Sequence, residues 1–188
     1  MNRVATHVLP PLLLIGALAA CSTTTPQSAS TTVPTAASGT AKPTTASPTP
    51  TGPPAVPEPT VDGACPYLDT KFVQEANGQL VRKVRLSADQ PDPACFFYAN
   101  ETEVQLSVWV YRGDVKTAKA IVDRAAPLDS FPASVPEGWK GGSLYDDKGS
   151  VYAVAKLGNA VVVSSNQQQT VKGRRVTEAV VANLKLGY

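Results

Sequence analysis

A break in composition near residue 60 constrains this chain more than any other feature. Residues 22–60 span 39 positions, of which 9 are Pro, 12 Thr, 5 Ser and 6 Ala. Such a segment has almost no apolar surface to bury, so it does not offset the roughly 1–2 kcal/mol per residue of backbone entropy that folding costs. Its prolines favour extended polyproline II geometry. Residues 22–60 therefore read as a spacer, reaching roughly 120 Å at about 3.1 Å per residue. A core must come from residues 61–188, a stretch of 128 positions. That is an ordinary size for one domain, long enough to bury roughly two thirds of its chain surface.

The chain before the spacer predicts export. Arg3 supplies a basic start, and an apolar run over 8–20 is interrupted only by Pro10 and Pro11. The run falls short of the roughly 20 apolar residues that cross a bilayer, and it suits the hydrophobic region of a secretory signal. It ends in Leu18-Ala19-Ala20-Cys21, a branched apolar residue and two small ones before a cysteine. That pattern is a lipobox, whose cysteine thiol receives a diacylglycerol. Residues 1–21 are thus expected to be a lipoprotein signal peptide. Cys21 is the expected lipidation site, holding the chain on the extracytoplasmic face of the cell membrane. Each buried acyl methylene adds about 0.8 kcal/mol, so two or three chains anchor stably where one does not. Dense Thr beside Pro in the spacer also suits O-linked sugars.

Charge and residue usage narrow the function. Residues 61–188 carry 15 Lys+Arg against 14 Asp+Glu, too balanced for the basic stripe of a nucleic-acid binder. Arg82, Lys83 and Arg85 cluster, as do Lys172, Arg174 and Arg175, but without interleaved aromatics they read as solvated faces. No nucleic-acid partner is expected. The one histidine, His7, lies in the export signal, and the one methionine is Met1. That removes Ser-His-Asp and Cys-His catalysis and His- or Met-ligated metals from the expected mature chain. No cofactor is expected, and a non-enzymatic role follows.

Cys65 and Cys95 are the only cysteines after Cys21. In an exported chain a lone pair reads as a disulfide. The pattern then predicts a helix over 66–76, with Leu68, Phe72 and Ala76 on one face and Asn77-Gly78 as its stop. A strand over 80–86 follows, and Gln90-Pro91-Asp92-Pro93 makes a turn. Strands over 95–98 and 104–111 form a hairpin. Val104, Leu106, Val108 and Val110 alternate against Gln105, Ser107, Trp109 and Tyr111. A helix over 115–126 is capped by Asp114, with Ala118, Ile121, Val122 and Ala125 as its apolar stripe. Residues 127–142, rich in Pro and Gly, read as a long irregular loop. A second hairpin over 151–156 and 160–164 turns at Gly158-Asn159. A last helix over 170–186 sets Val176, Val180 and Leu184 on one face. The expected fold is α+β, of order α-βββ-α-β(β)β-α. It has an antiparallel sheet of about five or six strands and helices packed mainly on one face.

Several short stretches carry a family likeness. They are Cys65-Pro66-Tyr67-Leu68-Asp69-Thr70, Ala94-Cys95-Phe96-Phe97, Ala125-Ala126-Pro127-Leu128-Asp129-Ser130, Gly138-Trp139, Val151-Tyr152-Ala153-Val154 and Ser165-Asn166-Gln167. With them, nearly all of 61–188 resembles a family of exported actinobacterial lipoproteins grouped under a domain of unknown function. The resemblance implies an envelope location and this architecture, and it supplies no catalytic residue. The element order is also similar to other small mycobacterial envelope lipoproteins and to kinase sensor domains, a likeness of fold alone.

Candidate contact residues come from exposed-looking aromatics and polar runs. Trp139 and Lys140, beside Gly141 and Gly142, suggest a loop that stacks on sugar rings or anchors a partner, or else plugs the core edge. Trp109 and Tyr111, opposite the valines, line either a surface under a helix or an open groove. Asn166 and Gln167 offer a hydrogen-bonding rim, against the plainer reading that Ser165 or Asn166 caps the last helix. Asp146-Asp147 reads as a solvated turn rather than a calcium site, so no metal is expected. Asp123 and Asp129 have no sequence reason to share a cleft, and Asn100-Glu101-Thr102 matches a glycosylation sequon at chance level. The resulting expectation is a membrane-anchored binding or interaction module for an envelope glycolipid, wall polymer or protein. A carrier of a lipid or small apolar ligand is the alternative, and it needs an enclosed apolar cavity. A carboxylate-dependent hydrolase comes third and needs two carboxyls about 5–10 Å apart.

Overall fold

The computed structural model describes residues 52–187. The export signal, Cys21 and the spacer up to Thr51 lie outside the described residues. In chain order the elements are β1 (Val61–Asp62), α1 (Thr70–Asn77), β2 (Lys83–Leu86), β3 (Cys95–Tyr98), β4 (Val104–Arg112), α2 (Val115–Ala125), β5 (Phe131–Val135), β6 (Trp139–Asp146), β7 (Gly149–Lys156), β8 (Asn159–Ser165) and α3 (Thr170–Asn183).

The strands form one antiparallel sheet of order β1-β2-β3-β4-β8-β7-β6-β5. In each half strands consecutive in the chain lie side by side, β1 and β2 with α1 between them, and the halves join where β4 pairs with β8 from Leu106↔Ser165 to Arg112↔Asn159. The α+β class stands, with eight strands rather than five or six. The excess comes from β1 and from the segment read as a loop. Residues 131–146 form a hairpin around a single 3₁₀ turn, Pro136–Gly138.

The two faces of the sheet are filled differently. On the first, Val73 and Ala76 of α1 and Val176, Val180 and Val181 of α3 pack on Phe97, Leu106, Val108, Val154, Val161, Val163 and Trp139. Burying each such side chain contributes about 1.5–3 kcal/mol. On the second face, Ala118, Ile121 and Val122 of α2 pack on Ala153, Ala160 and Val162, with Trp109 and Tyr111 at the margin. The helices are therefore split between the faces. The small side chains of Ala153 and Ala160 leave room for α2 to lie close.

Local chemistry sets the boundaries. Helix α1 begins at Thr70 rather than Pro66 because Asp69 is its cap, accepting from the amides of Lys71 (2.8 Å) and Phe72 (3.1 Å). Tyr67 and Leu68 turn into the core instead of lying on the helix. The Cys65–Cys95 disulfide forms and ties this approach to the start of β3. Helix α2 carries the expected cap, Asp114 accepting from Thr117 N at 2.8 Å. Leu157 and Gly158 both have positive φ (48° and 83°), as the two-residue turn between β7 and β8 requires.

Two departures shape the surface. A bulge in β4 shifts the register between Phe97↔Leu106 and Tyr98↔Val104. Gln105 is consequently buried, and Val104 joins Phe96 and Tyr98 in a cluster with Trp109 instead of aligning with Leu106. At the far edge, Pro132 and Ser134 share the alternation of β5. Pro132 has no N–H, and Ser134 donates its N–H to the Tyr152 hydroxyl (3.0 Å), which donates back to Ser134 O (2.7 Å).

Residues 52–60, read from composition as the tail of the spacer, lie against the domain. Thr60 N donates to Leu86 O (2.8 Å), Arg85 Nη2 to Thr60 O (3.1 Å), and Arg124 Nη1 to Pro54 O (2.8 Å).

Candidate functional site

The alternation of β4 sends Trp109 and Tyr111 to the second face of the sheet, where α2 stops short of covering them fully. The chain closes over this margin from two sides. On one side runs the proline-rich segment 52–60, and on the other the loop between β2 and β3. Between them lies a groove of about 260 Å³, lined by Pro54 and Pro57, by Asp89 to Asp92, and by Trp109 to Arg112.

Each wall is held by identifiable contacts. The Arg124 guanidinium, from the last turn of α2, stacks 5.5 Å from the Trp109 ring centroid and donates to the Pro54 carbonyl. Arg112 grips Asp92 through Nε to Oδ2 (2.6 Å) and Nη2 to Oδ1 (3.4 Å). Ser87 Oγ donates to Asp89 Oδ2 (2.6 Å) and accepts from Ala94 N (2.8 Å), closing the loop that carries Asp89. Tyr111 donates to Asp114 Oδ2 (3.2 Å). Hydrogen bonds from Thr117 hold the Asp114 carboxyl below its ordinary range, with the Tyr111 hydroxyl a lesser contributor. The groove thus has an aromatic floor, prolyl walls and a polar rim in which Arg112 is paired with Asp92 and Asp89 accepts from the Ser87 hydroxyl. It is suited to binding by stacking and hydrogen bonding.

The other expected contact residues lie elsewhere. Trp139 is fully buried in the core of the first face, its ring pinned where β6 begins, so it is no surface contact. Its neighbour Lys140 is exposed, pairing with Ser134 and Ala155 in the sheet. Asn166 and Gln167 follow β8 at the end of the β4–β8 ladder opposite Tyr111. They are engaged internally. Asn166 Nδ2 donates to Glu103 Oε1 (3.0 Å), and Gln167 Oε1 accepts from Lys172 Nζ (3.3 Å). Ser165 does not cap α3. Its hydroxyl donates to Asn77 Oδ1 (2.8 Å) and accepts from Gln167 N (3.0 Å), while Asn77 Nδ2 donates to Gln105 Oε1 (3.0 Å). This buried polar cluster fastens α1, β4 and β8 together.

Of the six expected contact residues, then, the structure gathers only Trp109 and Tyr111 at one groove. Sequence reasoning missed Arg124, Arg112, Asp92 and Pro54. Arg124 had a legible signal, a cation at the C-terminal turn of a helix. The others become neighbours only through the path of the chain. Asp146 closes its own turn, accepting from Lys148 N (2.8 Å) and Gly149 N (3.1 Å). Among the described residues no group of three or more His, Cys, Asp or Glu is arranged to hold a metal.

Fold and groove together define a small disulfide-bonded α+β domain built on one eight-stranded antiparallel sheet. Residues 48–186 match the family described as a domain of unknown function, DUF2020, and the chain belongs to that family. The match begins before residue 52, so it takes in the proline-rich segment along the groove. No curated protein matches the chain.

Proposed function

We propose that the chain is a lipid-anchored cell-envelope protein, held at Cys21 on the extracytoplasmic face of the membrane, whose domain binds rather than catalyses and uses no cofactor. The observation that carries this reading is the groove over Trp109 and Tyr111. Its aromatic floor and hydrogen-bonding rim suit an envelope glycolipid, wall polymer or protein, and nothing about it favours a nucleic acid. No helix among the described residues is long and apolar enough to cross a membrane. The space between the sheet and helices α1 and α3 is filled by Trp139, Phe97 and Leu106. That filling supports a binding module over a carrier.

Recovery of the acylated chain from its native envelope tests this, with co-purifying lipids, glycans and proteins identified by mass spectrometry. One species is expected to be retained by the native chain and lost from a Trp109→Ala/Tyr111→Ala variant. Identical profiles for the two chains would sink the groove as the binding surface. Membrane association that survives Cys21→Ser would sink the anchor.

A further inference from the structure

The groove is walled by the chain's own prolines. Residues 52–60 read Gly-Pro-Pro-Ala-Val-Pro-Glu-Pro-Thr and run without helix or turn from Pro54 to Thr60. Proline fixes φ near −65° and removes the amide donor, leaving carbonyls as the handles by which such a segment is held. That is how this segment is held: Arg124, stacked on Trp109, donates to the Pro54 carbonyl. An aromatic ring beside a donor to a prolyl carbonyl is the general chemistry by which extended proline-rich chains are recognised. The backbone hydrogen bonds of this strap, residues 52–60, lie at Pro54 and Thr60, with none between among the described residues. Beside the strap about 260 Å³ stays open over Trp109 and Tyr111, bordered on its far side by Pro91.

We propose that this groove is a receptor for a proline-rich, extended polypeptide, and that residues 52–60 are its resident occupant, displaced when such a segment arrives from another chain. The proposal rests on the groove being the binding surface and names the class of ligand it takes. The interface already made by the strap continues into the open part of the groove. An incoming segment lies first beside the strap, on Tyr111 and Pro91, and then takes over the Arg124 donor as Pro54 leaves. A tethered competitor acts at an effective concentration on the order of millimolar. The intact chain therefore binds such a segment weakly, and loosening the strap strengthens binding.

The test uses the full chain and a fluorescein-labelled peptide with the sequence of residues 52–60, read by fluorescence anisotropy. Three proteins are compared: the native chain, a variant with Pro53, Pro54 and Pro57 changed to Ser, and that variant carrying Arg124→Ala as well. Saturable binding is expected to tighten by about tenfold or more when the strap prolines are removed, and to be lost on adding Arg124→Ala. If the strap variant folds poorly, the unlabelled peptide added in trans is expected to raise its melting temperature. A strap variant that neither binds the peptide up to about 1 mM nor gains stability from it overturns the proposal. A glycan or lipid that is retained through Trp109 and Tyr111 while the peptide does not bind would leave the binding-module reading intact and overturn this one.

Discussion

Replacing both cysteines of the disulfide by alanine is expected to remove a third or more of the stability of the domain. Cys65 and Cys95 are 30 positions apart, so the bond closes a loop of about 31 residues. The chain-entropy relation assigns such a loop roughly 3.7 kcal/mol, all of it exerted on the denatured chain. Both cysteines are buried, Cys95 completely, in the cluster that includes Tyr67, Leu68 and Phe97. Deleting their sulfurs leaves unfilled space that costs about 1 kcal/mol more. The total of about 4–5 kcal/mol compares with the 5–15 kcal/mol typical of a whole domain. It corresponds to a melting temperature lower by about 12–20 °C at this chain size. The assay is urea unfolding of three samples: oxidised chain, reduced chain and the Cys65→Ala/Cys95→Ala variant. Both the reduced and the variant chains should unfold well below the oxidised chain, the variant lower than the reduced chain by about 1 kcal/mol for the lost sulfurs, and with a steeper dependence on urea because the unlinked denatured chain exposes more surface. If the oxidised and variant chains differ by less than about 1 kcal/mol, the reasoning fails. The other ties across the loop, among them the Tyr67 hydroxyl bond to Pro93 O at 2.9 Å, would then be sufficient by themselves.

Two further outcomes follow from buried groups. Tyr67 titrates well above the usual phenol range, chiefly because burial penalises the phenolate and secondarily because Asp92 is negative. The unfolded chain therefore loses this proton first, and stability should fall as pH rises from about 10. Tyr67→Phe should cost about 1 kcal/mol at neutral pH yet flatten that alkaline decline. Urea midpoints at pH 8, 10 and 11 check both, and parallel declines in the two chains would contradict the assignment. Trp139→Ala should destabilise by about 3–5 kcal/mol, as expected for a large side chain lost from a filled core. Trp139→Phe should cost less, because the indole N–H has no hydrogen-bond partner among the described residues. Equal effects of the two in thermal melts would count against that account.

What could be read from the sequence was whatever depends on neighbours along the chain. The Asp114 cap and the apolar stripe of α2 follow from residues within a few positions and formed as expected, while the turn expected at Gly158-Asn159 sits one residue earlier, at Leu157-Gly158, with Asn159 opening β8. The hairpin of β5 and β6 was hidden because its glycines mimic a loop. Gly141 is needed where it is. A Cβ there would lie 2.0 Å from the carbonyl oxygen of Ala153 on the neighbouring strand, so the glycine marks close backbone approach rather than a turn. The β4 bulge was invisible for a related reason. Alternation through Val104 and Leu106 is unbroken in sequence, and only pairing with β3 and the need of Asn77 for a partner reveal that Gln105 turns inward. Trp109 and Tyr111 were legible as a stripe away from the valines. Their groove was not, since its walls come from segments near residues 54 and 90 that share no local pattern with β4.

The closed rim at β5 bears on crowding. A terminal strand normally offers a ladder of unused amides onto which another strand can add. Here Pro132 has none to offer, and the Tyr152 hydroxyl holds both polar groups of Ser134. Copies packed at high density thus meet an inert border, and side-by-side growth into fibrils finds no starting template there.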